Sequence, residues 1–401
     1  MKPIYIAAYQ QSKFGKLLGA TVPEIIRTAA EETCRSVKAE ASAVDVATIG
    51  AVCNLTLNEQ GLLSGLLAMT PGLDGKPIES VENACATGGQ AILAVAQKLM
   101  LGDGDVGLAV GFEKMRDADG KMDGKLVGKV LGLYSHPDER PGKTFVFPHL
   151  FAEVMKAYMD EWGATEEDLA SVAATEYANA RHNPYAQMQK NEVTLETVMR
   201  IEGFNRYVVE GLPLKTFDSS QISDGWAGML LATEEGLARL GVAKADCVRL
   251  AGWGQATDPL RKEGRDVLRP RAANAAMAAA YRRSGLSPAD VGVAEVHDCF
   301  SVMGAIGAEV IGKAEPGHGA RYWREGKARV EGECGINTSG GLIAKGHPIG
   351  ATGIAMVGWC AWQLLGKVPK ELQVANARAA ATFNIGGPVC ASVCTVLTPA
   401  S

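Results

Sequence analysis

Strand-length apolar runs alternate with helix-length segments along most of this 401-residue chain, and the alternation breaks once, between about residues 117 and 217. Residues 4–8 read as a strand, and Thr21-Val22-Pro23-Glu24 has the capping-box spacing that starts a helix running towards residue 37. Residues 47–52 and 106–110 read as further strands. Between them Cys85-Ala86-Thr87-Gly88-Gly89 forms a small-residue turn from which an apolar helix continues over 90–100. The rhythm resumes at 219–231, followed by a strand at 248–252, an Ala-rich helix at 272–283 and a strand at 291–296. A second small-residue turn, 347–353, feeds a helix to residue 365, and 379–383 and 391–397 read as closing strands. Elements in this order bury their apolar faces only as a sheet covered by helices, which sets the class as α/β. The interrupting segment, 118–217, is richer in charge, Pro and Tyr and reads as an inserted, mainly helical subdomain. We therefore expect one half from 1–117 with 218–258, an Arg-rich link around RKEGRDVLRPR, and a second half over 259–401. Ala86-Thr87-Gly88 and Ala351-Thr352-Gly353 each open an apolar helix followed by a strand, an echo too short to establish a duplication alone.

Composition excludes several classes of function. Forty basic against forty-five acidic side chains give a net charge of −5, so there is no electropositive footprint for nucleic acid or an anionic membrane surface. No run approaches the roughly 18 apolar residues of a membrane span, and the opening MKPIYIAAYQQSKFG lacks the apolar core of a signal peptide. The nine Cys form no CxxC pair and suit a reducing compartment, and TPAS is no peroxisomal address, so a cytoplasmic location is expected. The six His lie at no zinc-finger spacing to a Cys pair, and we expect no metal. Glycine, with 47 copies, stands well above roughly 7% usage and announces tight turns and close backbone approaches.

Four side chains carry chemistry. Cys85 stands where a turn becomes a helix, a place where backbone N–H groups and the helix dipole lower a thiol pKa, and its neighbours Ala84, Ala86, Gly88 and Gly89 leave room at the sulfur. A buried inert Cys is the competing reading. His347, held between Gly346 and Pro348, either takes the proton of Cys85 or presents an N–H to a developing oxyanion. His297 and Cys299 sit at a strand end, where alternation points both to one face and Asp298 elsewhere. On spacing alone, ordinary packing accounts for Cys299. A thiolate nucleophile, a second acid/base and oxyanion donors are what acyl transfer between a thiol and a carbanion requires.

SVENACATGGQA, EVHDCF, NTSGGLIAKGHPIGATG and the late NIGG resemble the nucleophile, HDCF, GHP and C-terminal blocks of the thiolase superfamily, and the match is best with the sterol carrier protein X type. HNPYAQM, ISDGWAGMLLA and GWGQAT extend it over nearly the whole chain. The resemblance implies a five-layered αβαβα fold from two similar βαβαβαββ halves, with a loop domain inserted in the first. It also implies a coenzyme A-dependent homodimer or dimer of dimers with coenzyme A and acyl-CoA as substrates and no tightly bound cofactor. Cys85 matches the acyl-accepting nucleophile and His347 the His that activates it. His297 stands where better-known relatives have the Asn of an NEAF block. Those relatives carry an acid/base Cys in a late C-x-G block; here Asn384-Ile385-Gly386 fills it, and Cys299 inherits the role. Gly386 then supplies a second oxyanion N–H together with that of Cys85, while Cys390 is structural. We expect no sterol-carrier domain beyond Ser401. Arg261, Lys262, Arg265, Arg269 and Arg271 fit either coenzyme A phosphates or a solvated linker. The expected activity is thiolytic cleavage of a 3-ketoacyl-CoA or the reverse Claisen condensation. The alternatives are a retro-aldolase working with an OB-fold or zinc-ribbon companion, a decarboxylating ketoacyl synthase-like enzyme, and a non-catalytic acyl-CoA-binding subunit.

Overall fold

A computed structural model describes residues 2–400. Its strands are β1 (Tyr5–Gln11), β2 (Val46–Gly50), β3 (Ile78–Val81), β4 (Val106–Glu113), β5 (Gly225–Ala232), β6 (Val248–Thr257), β7 (Val293–Val296), β8 (Gly335–Ile336), β9 (Ala380–Gly386) and β10 (Ala391–Pro399). They hydrogen-bond in the order β3-β2-β4-β5-β1-β6-β10-β9-β7-β8. Outward from the centre, β1 pairs antiparallel with β5, β5 antiparallel with β4, β4 parallel with β2, and β2 parallel with β3. The other side repeats this pattern with β6, β10, β9, β7 and β8. Among the described residues, only Tyr5↔Arg249 and Ile6↔Val248 pair strands across the two sides. Identical pairing on either side of so small a junction is the mark of a duplicated unit.

The helices follow the same repeat. Val22–Arg35 lies between β1 and β2 and packs on β1, β4 and β5; Arg271–Ser284 lies between β6 and β7 and packs on β6, β9 and β10. Thr87–Leu101 follows β3 and Ile349–Leu364 follows β8; these two pack on one another and touch strands of both halves. Helix, sheet, helix pair, sheet and helix therefore make the five layers. The repeated Ala-Thr-Gly triplet falls at equivalent places, the starts of the two central helices. Its function is steric: a Cβ on Gly353 would lie 2.2 Å from Gly89 N, and one on Gly88 would lie 2.7 Å from Gly353 N. The central helices cross in backbone contact, which any side chain at these positions would forbid.

The halves differ most in one connection. Between β9 and β10 the chain turns through residues 387–390, whereas between β4 and β5 it leaves the sheet for 114–224. This excursion carries the helices Gly124–Gly132, Val146–Trp162, Glu166–Ala180 and Leu195–Met199. Thr165 and Asp168 close a capping box at the start of the third, satisfying its first N–H groups. That helix and Val146–Trp162 pack on Ser301–Val310 of the second half, in a core that includes Phe151, Met155, Val172, Tyr177, Met303 and Ile306. One boundary needs correction. Ending the first half at 258 assigns β6 to it, but β6 pairs along its length with β10 and holds in the second half the place of β1 in the first. The Arg-rich stretch thus follows the first strand of the second half.

The backbone crossing gives a direct test. Gly353→Ala should destabilise the protein by about 2 kcal/mol or more in chemical denaturation, because the added methyl meets main chain that cannot yield. Unchanged stability would show that the central helices are not in contact at this point.

Candidate active site

Cys85 follows Ala84, a non-glycine residue held at φ +46°, and precedes the first residue of the helix Thr87–Leu101 by two positions. The hydroxyl of Thr87 accepts the Asn83 N–H at 2.8 Å, which ties this turn to the helix. Cys85 is the one cysteine of nine that is not fully buried. His347 enters from the equivalent turn of the second half. Gly346, at φ +112°, is packed so closely that a Cβ would lie 2.8 Å from Ser223 Oγ, and His347 N–H donates to that hydroxyl at 2.9 Å. His297 is the first residue beyond β7, and its N–H donates to Phe383 O of the neighbouring parallel strand at 2.9 Å.

These turns converge. Cys85 Sγ and one ring nitrogen from each of His297 and His347 lie within 4.8 Å of one another, and the two rings stand edge to face with centroids 5.0 Å apart. They open on a cavity of about 200 Å³ that Cys299 also lines. Its other walls are mainly apolar, with Val52, Met115, Leu131, Tyr134, Phe151 and Phe300 among them, and Ser219, Ser220 and Gln221 supply a polar stretch. Among the described residues, no Asp, Glu, Lys or Arg lines it. Asp298 points away from the cavity and accepts the N–H groups of Leu342 and Ile343, fixing the loop between His297 and Cys299.

The electrostatics reverse one expectation. Helix-end stabilisation predicts an acidic Cys85, but burial, with Glu113 and Glu82 nearby, pushes its thiol up to about 12, and the Gly387 N–H offsets only part of this. Burial raises Cys299 well above the ordinary thiol range too. Burial lowers His347 to about 3, with Lys345 adding to the effect, and lowers His297 well below the ordinary imidazole range, with His347 adding to it. Burial thus favours the neutral form of all four groups. A thiolate forms here by proton transfer to a neighbour rather than by loss of a proton to water.

Gly387, at φ +62°, not Gly386, directs its N–H at the Cys85 sulfur and lines the cavity. Gly386 ends β9 opposite Ala391 and is glycine for another reason: a Cβ there would lie 2.3 Å from Asn83 O. The first glycine of NIGG is needed for packing and the second for the site. Three further residues escaped sequence reasoning. Asn384 Nδ2 reaches Cys85 O and His297 Nδ1, both at 3.0 Å. Thr352 Oγ1 lies 2.7 Å from His347 Nδ1. Glu113 accepts the N–H groups of Val52, Cys53 and Gly350, and burial raises it to about 7. Thr352 left a signal as a member of the repeated triplet, Asn384 only as the residue that stands in place of a late Cys, and Glu113 none.

The basic stretch forms ion pairs with nearby carboxylates. Arg261 pairs with Asp138 and Glu263, Lys262 with Glu153, Arg269 with Glu161 and Asp266, and Arg271 with Asp258. Arg265 donates to the carbonyls of Pro388 and Val389, bracing the turn that carries Gly387. The sulfur and two imidazoles also form a donor set of the kind zinc takes. A ligating imidazole usually donates its second N–H to an acceptor, whereas His297 Nδ1 faces an amide that donates, which opposes ligation through Nε2.

The family models for the thiolase N-terminal domain and the thiolase C-terminal domain-like region match residues 4–235 and 254–399. The chain belongs to the thiolase family. It is an acyltransferase of that family, 33% identical over 387 residues to an acetyl-CoA acetyltransferase of Methanothermobacter thermautotrophicus, covering 96% of this chain and 97% of the relative. It is 31% identical over 394 residues to sterol carrier protein 2 of Bos taurus, covering 96% of this chain and 70% of the relative. Among solved structures, the Ltp2-ChsH2(DUF35) aldolase superposes with a TM-score of 0.80 at 20% identity, over 99% of this chain and 98% of the other. Human mitochondrial 3-ketoacyl-CoA thiolase superposes with a TM-score of 0.70 at 16% identity, over 100% and 99%. These two likenesses establish the thiolase fold.

The resting thiol makes a test possible without substrate. Iodoacetamide should modify Cys85 before the eight buried cysteines, more slowly at pH 8 than free cysteine (pKa roughly 8.5), at a rate that climbs towards about pH 12. Rapid labelling independent of pH above 6 would instead reveal a preformed thiolate–imidazolium pair.

Proposed function

We propose that this thiolase cleaves a 3-ketoacyl-CoA with coenzyme A, and runs the reverse condensation, through an acyl group on Cys85. The observation that carries the reading is the convergence of the Cys85 sulfur with His297 and His347 on an apolar cavity lined also by Cys299. The Cys85 thiol gives its proton to His347, and the sulfur attacks the 3-keto carbonyl. The resulting oxyanion meets the backbone N–H groups of Gly387 and Cys85. The C2–C3 bond breaks, its electron pair leaves as the enolate of acetyl-CoA or propanoyl-CoA, and Cys299 protonates it. His297 and the now protonated His347 hold the thioester oxygen of that enolate. Coenzyme A then loses its thiol proton to the Cys299 thiolate and attacks acyl-Cys85, and His347 returns its proton to the departing Cys85 sulfur. The sum is 3-ketoacyl-CoA plus coenzyme A giving two acyl-CoA molecules. The charge-free walls favour an uncharged acyl substituent. The retained nucleophilic sulfur favours thiolysis over the retro-aldolase reading, and Cys299 is superfluous to a decarboxylating condensing enzyme.

The finer assignments follow from the surface and the cysteines. β3 is the edge of the sheet and half exposed, and Leu55, Leu62 and Met69 stand exposed in the segment between β2 and β3. An apolar edge of this kind invites strand pairing, and we assign it to a second copy in a homodimer. The nine free thiols support a reducing compartment, and we place the protein in the cytoplasm. A companion of the DUF35 type, which the superposed aldolase carries in its name, is a further partner to test.

Mass spectrometry of the protein after exposure to acyl-CoA should show one acyl group on Cys85. Cys85→Ala should abolish the adduct with the fold intact. Cys299→Ala should keep the adduct while thiolysis falls by roughly 100-fold or more, the usual scale of a lost general acid/base. Full turnover in the Cys85 variant would overturn the assignment. Leu62→Asp should convert the homodimer to monomer in analytical ultracentrifugation, and an unchanged sedimentation coefficient would place the interface elsewhere.

A further inference from the structure

The two histidines are alike in burial and in lacking charge, yet their ring nitrogens are tied in opposite senses. Asn384 determines one of them. Its Oδ1 accepts the Gly89 N–H at 3.3 Å, and its Nδ2 directs its two hydrogens at Cys85 O and His297 Nδ1, each at 3.0 Å. Rotating the amide by half a turn would set oxygen against the Cys85 carbonyl and NH2 against the Gly89 N–H, so the orientation is over-determined. His297 Nδ1 must then be an acceptor. In a neutral imidazole the single proton falls on Nε2, the buried atom of the ring for which the structure provides no hydrogen-bond partner among the described residues.

His347 is set the other way. The Thr352 hydroxyl donates to Pro348 O at 3.0 Å, leaving its oxygen to accept from His347 Nδ1 at 2.7 Å. Its proton is therefore on Nδ1 and its Nε2 carries a lone pair. One imidazole offers the cavity an N–H and the other a base. Once His347 has taken the Cys85 proton, both present N–H groups, and the pair becomes a two-donor site for an oxyanion.

We propose that Asn384 is the positioning residue that locks His297 as an N–H donor, in the slot that other members of the superfamily give to a reactive cysteine. This rests on the thiolase reading above, in which His297 serves the enolate-forming step and Gly387 with Cys85 serves acylation. An amide held between the backbone carbonyl of the nucleophilic residue and a catalytic imidazole couples the geometry of the two reactive centres. It performs no proton transfer itself.

The test separates the two half-reactions. In Asn384→Leu, which is close in volume and cannot donate, acyl transfer from acyl-CoA to Cys85 should persist while thiolysis falls roughly 100-fold in kcat with little change in KM. In Asn384→Asp, activity should survive only at low pH, where the neutral acid still donates to His297 Nδ1, and should disappear as the carboxylate forms. The 15N spectrum of the wild-type protein should show His297 protonated at Nε2, and that of Asn384→Leu a tautomer mixture. A double-mutant cycle closes the argument: in a His297→Gln background, whose amide donor has no tautomer, Asn384→Leu should cost little more. Equal losses in both backgrounds, or a His297 protonated at Nδ1 in the wild type, would overturn the proposal. If wild-type Cys85 accepts no acyl group at all, it is the thiolase reading that fails.

Discussion

The contact on which the site depends is the backbone crossing of the helices Thr87–Leu101 and Ile349–Leu364 at Gly88, Gly89 and Gly353. Each helix begins just after a reactive residue, Cys85 in one half and His347 in the other. Because the helices meet at their first turns, the turns in front of them are forced together. A crossing one turn further along would separate the sulfur from the imidazole by about 5 Å, the pitch of the helix. The second imidazole comes by strand register. β7 and β9 run parallel with Val296 opposite Phe383, so the next residues, His297 just beyond β7 and Asn384 still within β9, lie side by side. Glu113 fastens the whole by receiving N–H groups from the turn after β2 and from the start of the second central helix.

Burial governs the chemistry. A thiol held up to about 12 and an imidazole held down to about 3 are a poor acid and a poor base against water. Each answers the other, because proton transfer creates two opposite charges within 4.8 Å of one another, where the low dielectric strengthens their attraction. Substrate then disperses the negative charge into an oxyanion facing fixed N–H groups. The same burial that keeps resting Cys85 protonated makes those donors effective, since a buried N–H acts on an oxyanion through a low dielectric. A resting thiol also limits the oxidation to which a permanent thiolate would be open.

The parts legible in the sequence were those in which residue type and neighbourhood coincide. Cys85 among Ala and Gly, His347 between Gly and Pro, and the alternation of strand and helix all carry their meaning locally. The membership of β6 was not legible, because a strand reads the same whichever half it pairs with, and its partner β10 lies more than 130 residues away. The acidity of Cys85 was misjudged for a related reason: a helix start is visible in sequence, but burial and Glu113 act through space. NIGG offered two adjacent glycines with no local sign of which faces the sulfur. Asn384 read as the loss of a cysteine, and only the three bonds of its amide show what stands in that place.

The duplicated fold carries an unduplicated site, and the two threonines of the repeated triplet show how. Thr87 and Thr352 hold equivalent positions, and each hydroxyl clamps the turn in front of its helix. Thr87 receives the Asn83 N–H and so shapes the loop that exposes Cys85, whereas Thr352 receives the ring of His347 and so fixes a tautomer. One local device thus presents a nucleophile in the first half and a base in the second. The unequal connections complete the division. The turn over 387–390 in the second half is short enough to set the Gly387 N–H against the sulfur, while the excursion from β4 to β5 in the first half brings Leu131, Tyr134 and Phe151 over the cavity. Exchanging the two connections would leave the sheet intact but deprive the sulfur of its N–H and the cavity of its roof. The asymmetry needed for catalysis is therefore in the loops and the residues before the central helices, and the symmetric sheet serves to bring them together.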